Sequence, residues 1–291
     1  MPKEKTQEKQ PVNAIGVIST GFEANVIIHN PYVSSVLSGI LATAGESECN
    51  VSLYTTAWST RSGSQRWFSP TPVDGIIVLA PSVHTDLIAA LCDLGLPTVA
   101  TSADALDFGI PTVDTDDVRG ATLATEHLIS LGHKRIAHLA GTMSQADAFN
   151  RRDTFFNVMT AAGLTVEPEF VVETGFDAVN AYSDATRLLT GDRRPTAIFA
   201  ATDYIAYWTI QAARDLGIDV PAQLSVVGYD DSPIARESLP RITTVRQPLV
   251  EMGQFAASLL FQQMASGNVE PKTHKLPAEL IVRETTARPP A

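Results

Sequence analysis

The sequence predicts an α/β protein with two doubly wound parallel-sheet lobes and a ligand cleft between them. Three observations support this prediction: apolar runs of strand length alternate with amphipathic helical stripes, the runs end in Gly, Pro or polar residues, and the pattern restarts once near residue 115. Apolar strands separated by helices form parallel sheets covered on both faces. A chain of 291 residues is long enough for two such units.

The first unit opens with a strand over Ile15 to Ile18. The next helix should begin with Asn30 as its N-cap and Pro31 at its first position, and it should end at Gly45. The rest of this unit is predicted as strands over Val51 to Tyr54, Gly75 to Ala80 and Pro97 to Ala100, with a helix over Leu87 to Leu94 that Gly95 ends.

The second unit follows a loop that runs through Asp114. Its helices are predicted up to Leu131 and over Asn150 to Ala162, Ala178 to Leu189 and Tyr204 to Leu216. Its strands are predicted over Arg135 to Leu139, Phe170 to Val172, Thr196 to Ala200 and Leu224 to Val227. A helix over Leu249 to Ser266 and a strand over Glu279 to Arg283 remain, and periodicity leaves open whether they extend this unit or return to the first.

The junction at Asp230 and Asp231 is the strongest candidate for a binding site, because two carboxylates directly follow a buried strand. Ligands of open α/β sheets bind outside the carboxyl ends of strands. The alternative is that the pair caps a turn or the next helix. From these two residues alone, both interpretations remain open.

Composition excludes several classes of function. The apolar runs are too short to cross a membrane, no signal peptide precedes the first strand, and we expect a cytoplasmic protein. A net charge of −11 gives no overall attraction for nucleic acid. An enzyme is disfavoured because His127, His133 and His138 have neither a nucleophile nor metal-ligand spacing, and no cofactor or metal motif is present.

Several motifs occur together in one order: Asn30-Pro31-Tyr32, TEHLISLGHKRIAHLAG at Thr125 to Gly141, AQLSVVGYDDSPIARESLPRITTVRQPLVEMGQFAASLL from Ala222, and LIVRETT at Leu280 to Thr286. Together they resemble the LacI/GalR family of transcriptional regulators over nearly the whole chain. The resemblance implies a periplasmic-binding-protein-like core whose lobes are joined by three crossovers, the third at Thr243 to Pro248. It implies an N-terminal lobe of 13–115 plus 249–276, a C-terminal lobe of 116–248 plus 277–291, and a tail over 1–12.

The resemblance also implies the ligand contacts. Arg152 matches the arginine that donates hydrogen bonds to ligand oxygens, and Asp230 matches the ligand-binding aspartate, with Asp231 left as a structural cap. Further matched positions are Asp203, Thr202 where the family usually has Asn, Phe176 as a stacking ring, and Gln247 at a crossover. The first-lobe candidates are Tyr32, Ser102 and His84.

Three departures from the family pattern stand out. The loop from Ser19 to His29 is longer than usual, Trp208 replaces a small residue in the helix after Asp203, and only about a dozen residues precede the first strand, where the family carries a helix-turn-helix head. The resemblance therefore implies the core of a regulator that senses a sugar or related metabolite, binds operator DNA only through an absent head, and dimerises through the first lobe and Leu249 to Ser266. The alternative is a transport-type sugar-binding protein.

Overall fold

The computed structural model describes residues 13–19, 30–54, 73–191, 193–267 and 269–290. The predicted tail over 1–12 and nearly all of the long loop after Ser19 lie outside these residues. The strands are β1 Ala14–Ser19, β2 Asn50–Tyr54, β3 Gly75–Leu79, β4 Thr98–Thr101, β5 Thr112–Thr115, β6 Ile136–Ala140, β7 Val171–Glu173, β8 Ala197–Ala200, β9 Ser225–Asp230, β10 Thr243–Arg246, β11 Thr273–Leu276 and β12 Glu279–Ile281. The helices are α1 Pro31–Glu46, α2 Leu87–Leu94, α3 Asp117–Ser130, α4 Ala146–Ala161, α5 Ala178–Thr190, α6 Asp203–Asp215, α7 Pro233–Glu237 and α8 Leu249–Ser266.

These strands form two six-stranded sheets, which confirms the predicted fold class. The first sheet has the order β11-β5-β4-β3-β1-β2, and the second has the order β12-β10-β9-β8-β6-β7. All neighbouring pairs are parallel except β10 and β12, which are antiparallel. The central strands β1, β3 and β8 are fully buried, as expected for sheets that helices cover on both faces.

The C-terminal elements return to both sheets, which answers the question that periodicity left open. Strand β11 adds to the edge of the first sheet, with Thr273 opposite Thr112, whereas β12 adds to the second sheet, with Leu280 opposite Val245. The chain therefore passes between the sheets three times: from β5 to α3, from β10 to α8 and from β11 to β12.

Helices α1 and α8 cross in backbone contact on one face of the first sheet. A Cβ atom added to Gly39 would lie 2.0 Å from the carbonyl oxygen of Val250, and one added to Gly253 would lie 2.0 Å from that of Val36. Only glycine permits such an approach. The apolar stripe of α8, including Met252 and Leu260, is buried in the core of this lobe.

Several predicted helix boundaries hold, although α1 runs past its predicted end at Gly45 to Glu46. The Asn30 side chain accepts hydrogen bonds from the backbone N–H groups of Tyr32 and Val33, and α1 begins with Pro31. Helix α2 ends at Gly95, whose φ of 66° is left-handed. Helix α8 has the predicted bounds.

Three local predictions were wrong. The segment through Asp114 is not only a loop, because Thr112–Thr115 forms β5. The third crossover is shorter than predicted, because Thr243–Arg246 forms β10 and leaves Gln247 and Pro248 between the sheets. Helix α4 begins at Ala146 and not at Asn150, and this extra turn contributes to the site described next.

Candidate functional site

A cavity of about 430 Å³ lies between the lobes. The first lobe contributes the start of α1 and the residue after β3, while the second contributes the start of α4, the start of α6 and the loops after β7 and β9. Its described lining residues are Asn30, Pro31, Tyr32, Ala80, Gln145, Asp147, Arg151, Phe176, Thr202, Tyr204, Asp230, Ser232 and Gln247. The cavity therefore lies at strand carboxyl ends and helix amino ends, where open α/β sheets bind ligands.

The arginine that lines this cavity is Arg151 and not the predicted Arg152. The Arg151 Nε donates to Asp117 Oδ1 at 2.8 Å, its Nη1 donates to the Ala201 carbonyl oxygen at 2.9 Å, and its Nη2 lies 3.4 Å from Asp147 Oδ2. The guanidinium also stacks over the Tyr229 ring, at 3.8 Å from the ring centroid. Arg151 is only 2% exposed, so this arrangement holds it rigidly at the cavity wall.

Arg152 lies on a different face of α4. Its guanidinium hydrogen-bonds Asp153 and stacks over the ring of Phe149, and Arg152 is not among the described lining residues. The physical reason for this correction is helical geometry, since consecutive residues on an α-helix point about 100° apart.

Asp230 is presented to the cavity by an unusual backbone conformation. Its φ of 116° and the φ of 53° at Asp231 lie in the left-handed region that L residues rarely adopt. Gln247 Nε2 donates to Asp230 Oδ1 at 2.6 Å, which links the end of β9 to the third crossover. Burial, reinforced by the charge of Asp203, raises the pKa of the Asp230 carboxyl well above its ordinary value.

Asp231 does not cap a helix, contrary to the prediction. Its carboxylate is buried and forms ion pairs with Arg246, at 2.8 Å, and with Arg283. Burial alone would raise the pKa of Asp231, but the hydrogen bonds from Arg283 and Arg246 outweigh it and lower the pKa. The two adjacent aspartates thus differ in role: Asp230 lines the cavity, whereas Asp231 ties β9 to β10 and to the chain after β12.

Asp203 lies behind the cavity wall and does not line it. It is fully buried, and its Oδ2 accepts hydrogen bonds from the Ser232 backbone N–H at 2.7 Å and the Ser232 hydroxyl at 2.9 Å. The Thr244 hydroxyl donates to its Oδ1. Burial raises the pKa of Asp203 to about 7. Its geometry is that of a residue that positions Ser232, which does line the cavity.

Thr202 and Phe176 reach the cavity from different elements. Thr202 is the N-cap of α6, where its hydroxyl accepts from the Ile205 backbone N–H at 3.2 Å. The Phe176 ring lies against Gly141, because a Cβ atom added there would be 2.2 Å from Phe176 Cζ. Trp208 contacts the site indirectly, packing edge-to-face against Tyr204, with ring centroids 6.3 Å apart.

Of the three first-lobe candidates, Tyr32 lines the cavity, but Ser102 and His84 are not among the described lining residues. The Tyr32 hydroxyl donates to Ser102 Oγ at 2.8 Å and lies 3.1 Å from Thr101 Oγ1. Ser102 is itself buried, and this hydrogen bond fixes the position of the Tyr32 hydroxyl. Burial raises the pKa of the Tyr32 hydroxyl.

Sequence reasoning missed several lining residues, namely Asn30 as a cavity residue, Gln145, Asp147, Arg151, Tyr204 and Ser232. One available signal was the spacing of Asp147 and Arg151, which is that of an i,i+4 ion pair on one helix face. In the described part of the chain, no group of three His, Cys, Asp or Glu residues could hold a metal ion. No described helix is long and apolar enough to cross a bilayer.

Comparisons with known proteins agree on one family. A family model described as "Periplasmic binding protein-like domain" matches residues 125–286. The HTH-type transcriptional regulator DegA of Bacillus subtilis is 33% identical over 281 residues, which cover 92% of this chain and 82% of that protein.

Two solved structures superpose over nearly the whole chain. A complex of the transcriptional regulator CelR with cellobiose matches with a TM-score of 0.87 at 26% identity, over 95% of this chain and 85% of that chain. A lac repressor dimer bound to operator and the anti-inducer ONPF matches with a TM-score of 0.84 at 25% identity, over 96% of each chain.

Proposed function

The chain belongs to the LacI/GalR family of transcriptional regulators, as an effector-binding domain, and on that premise we propose that it senses a sugar or related polar metabolite in its cleft. Ligand binding between the lobes changes the population of lobe arrangements, and this change controls DNA binding by a regulator dimer. Operator contact is assigned to a helix-turn-helix head and not to this acidic core.

The observation that carries the proposal is the composition of the cleft wall. Arg151 and Asp230 supply charged hydrogen-bonding groups, and the Phe176 ring offers an apolar face. Sugars present hydroxyl groups at their edges and apolar faces, so this combination suits them. The relative CelR is solved with cellobiose, which supports the same ligand class.

We also propose that Gln247 transmits ligand binding to the rest of the molecule. Its side chain hydrogen-bonds Asp230 in the cavity, and its backbone belongs to the crossover that leads into α8. A ligand that displaces or strengthens this hydrogen bond therefore acts directly on a segment between the lobes. The lac repressor relative is solved as a dimer, and we propose that this chain is a homodimer as well.

Titration calorimetry of the purified chain tests the site. A panel of sugars and nucleosides identifies a binder, which is then titrated into Asp230→Ala and Arg152→Ala variants. We expect Asp230→Ala to weaken binding about tenfold or more, since it removes a hydrogen bond to a charged group. Arg152→Ala, the matched control, should bind as the unchanged chain does. Equal affinity of Asp230→Ala and the unchanged chain would contradict the proposed site.

The transport-type alternative differs in assembly, because a transport binding protein acts as a monomer whereas a repressor must present two heads to two half-sites. DegA, CelR and the lac repressor, the relatives described above, are all transcriptional regulators. We therefore propose the regulator, acting in the cytoplasm, and assign it no catalytic role.

A further inference from the structure

We propose that the effector carries a positive charge, as a protonated amine on a hydroxyl-bearing body such as an amino sugar. This inference rests on the proposed function, because it names the chemical class of ligand for the same cleft. It depends on the balance of charges in the cavity wall, on which charged groups already neutralise one another, and on the aromatic side chains that line the same cavity.

The described wall of the cavity has an excess of negative charge. Its charged lining residues are Asp147, Asp230 and Arg151, and Asp117 and Asp203 lie directly behind it. Among the described residues, four carboxylates thus lie in or directly behind the cavity wall, together with one guanidinium. Burial and mutual repulsion raise the pKa of Asp230, Asp203 and Asp117, which are all groups that gain from a nearby cation.

The positive charge of Arg151 is already neutralised within the protein by Asp117 and Asp147. Its guanidinium is shared by Asp117 and Asp147 and stacks on Tyr229, so it forms no described hydrogen bond to Asp230. The described hydrogen bond to the Asp230 side chain comes from the neutral amide of Gln247. Of the two carboxylates among the described lining residues, Asp230 is therefore the one that forms no ion pair.

This arrangement discriminates between ligands by charge. An anionic ligand would meet Asp230 and Asp147, and the described lining residues offer no spare cation to compensate it. A neutral sugar can donate hydroxyl hydrogen bonds to Asp230, but it leaves the ionised carboxylate buried without an opposite charge, which is costly. A protonated amine would pair with Asp230 and satisfy the charge that the protein leaves uncompensated.

The aromatic part of the wall fits the same class of ligand. Tyr32, Phe176 and Tyr204 all line the cavity, and aromatic faces attract cations. The Tyr32 hydroxyl is already bonded to Ser102, so its ring is the part left for a ligand. Neutral polar groups of Gln145, Thr202 and Ser232 complete the lining and suit hydroxyl groups on the same ligand.

Calorimetry with matched compounds tests the inference. Each series compares an amino sugar with its parent sugar, its N-acetyl derivative and the sugar 6-phosphate, in the gluco, galacto and manno configurations. We expect at least one amino sugar to bind about tenfold or more tightly than its parent and its N-acetyl derivative, since the amine gains a charge-assisted hydrogen bond. In Asp230→Asn that preference should disappear, and in the control Arg152→Ala it should persist.

The outcomes separate this inference from the proposed function. If a neutral sugar binds more tightly than its amine, the charge assignment is wrong, while the sugar-sensing function stands. Preferred binding of a sugar phosphate leads to the same conclusion. If no compound of the three series binds, both the amine assignment and the sugar class are overturned. An amine preference that survives Asp230→Asn also overturns the inference, because Asp230 would not be its cause.

Discussion

Adjacent arginines on α4 differ sharply in their surroundings. Arg151 is buried among Asp117, Asp147 and Tyr229, while Arg152 pairs with Asp153 near the surface. The sequence NRRDTFF contains no signal that separates the two, because the register of a helix depends on where it begins. With α4 predicted from Asn150, the turn that brings Asp147 onto the same face as Arg151 was absent.

Replacement of these two arginines should therefore have unequal effects on stability. Arg151→Ala leaves Asp117 buried without its ionic partner, and we expect a loss of about 3–5 kcal/mol in the free energy of unfolding. Arg152→Ala should change it by less than about 0.5 kcal/mol, as for most surface substitutions. Urea denaturation followed by circular dichroism measures both. Similar losses for the two variants would show that the burial of Arg151 has been misassigned.

The pH dependence of stability offers a second prediction at this scale. The folded state raises the pKa of Asp230, through burial and the charges of Asp203 and Asp147, against the opposing effects of Arg151 and Gln247. An acid whose pKa is raised by folding costs no stability below its unfolded pKa and costs increasingly more as the pH rises towards its folded pKa. The unliganded protein should therefore lose stability between mildly acidic and alkaline pH.

Asp230→Asn removes this cost while its side-chain oxygen can still accept the hydrogen bond from Gln247. We expect the variant to unfold at a higher temperature than the unchanged chain at pH 8, and at the same temperature near pH 4. The gain is about 1.4 kcal/mol for each pH unit by which the solution lies above the unfolded pKa, up to the folded pKa. A thermal melt across this pH range measures it, and a lower melting temperature for Asp230→Asn at pH 8 would contradict the prediction.

At the scale of elements, sequence reasoning missed β5, β10 and β11, and the first two of these strands bury polar side chains. Strand β5, with the sequence TVDT, buries Thr112 and Thr115, and β10, with TTVR, buries Thr243 and Thr244. In β10 these hydroxyls hydrogen-bond other parts of the protein: the Thr244 hydroxyl donates to Asp203, and the Thr243 hydroxyl accepts from the Arg283 backbone N–H. An apolar pattern identifies strands whose buried positions are all apolar, but not strands whose buried positions include polar side chains.

The close crossing of α1 and α8 leads to a prediction for these two helices. Gly39→Ala should destabilise the protein by about 1–3 kcal/mol or more, because its Cβ would meet the backbone of Val250 and force the helices apart. Gly45→Ala, in the same helix, has nothing within 4 Å of its added Cβ and should stabilise by up to about 1 kcal/mol. Chemical denaturation compares the pair, and equal effects would argue against the crossing.

For the whole molecule, the sequence predicted two parallel sheets with a cleft, because alternating strands and helices leave few other arrangements. It could not place the last helix and strands, since periodicity carries no information about which sheet edge a strand joins. Tyr32, Phe176, Thr202, Asp230 and Gln247 do line the cavity, while Asp203 and Ser102 stand one layer behind it. That distinction depends on side-chain packing, which a linear motif does not record.

The proposed dimer is testable at this scale. Leu41 on α1 and Val250 on α8 are 49% and 41% exposed, and both helices belong to the surface that the family resemblance assigns to dimerisation. We expect Leu41→Glu and Val250→Glu to shift the solution mass, measured by light scattering, from dimer to monomer. Val179→Glu is the matched control, because Val179 is 73% exposed on α5 in the other lobe. A monomeric unchanged chain would contradict the dimer.

The three passages between the sheets also fix an order of events during translation. When β10 has just been made, the first sheet still lacks β11, at Thr273–Leu276, and α1 still lacks α8 as its packing partner. The second sheet at that point lacks only its edge strand β12. The lobe that leaves the ribosome first thus still lacks both a helix and an edge strand when the second lobe lacks only an edge strand. A nascent chain that ends near residue 246 still exposes the apolar face that α8 will cover, and chaperones that bind such faces should hold it there.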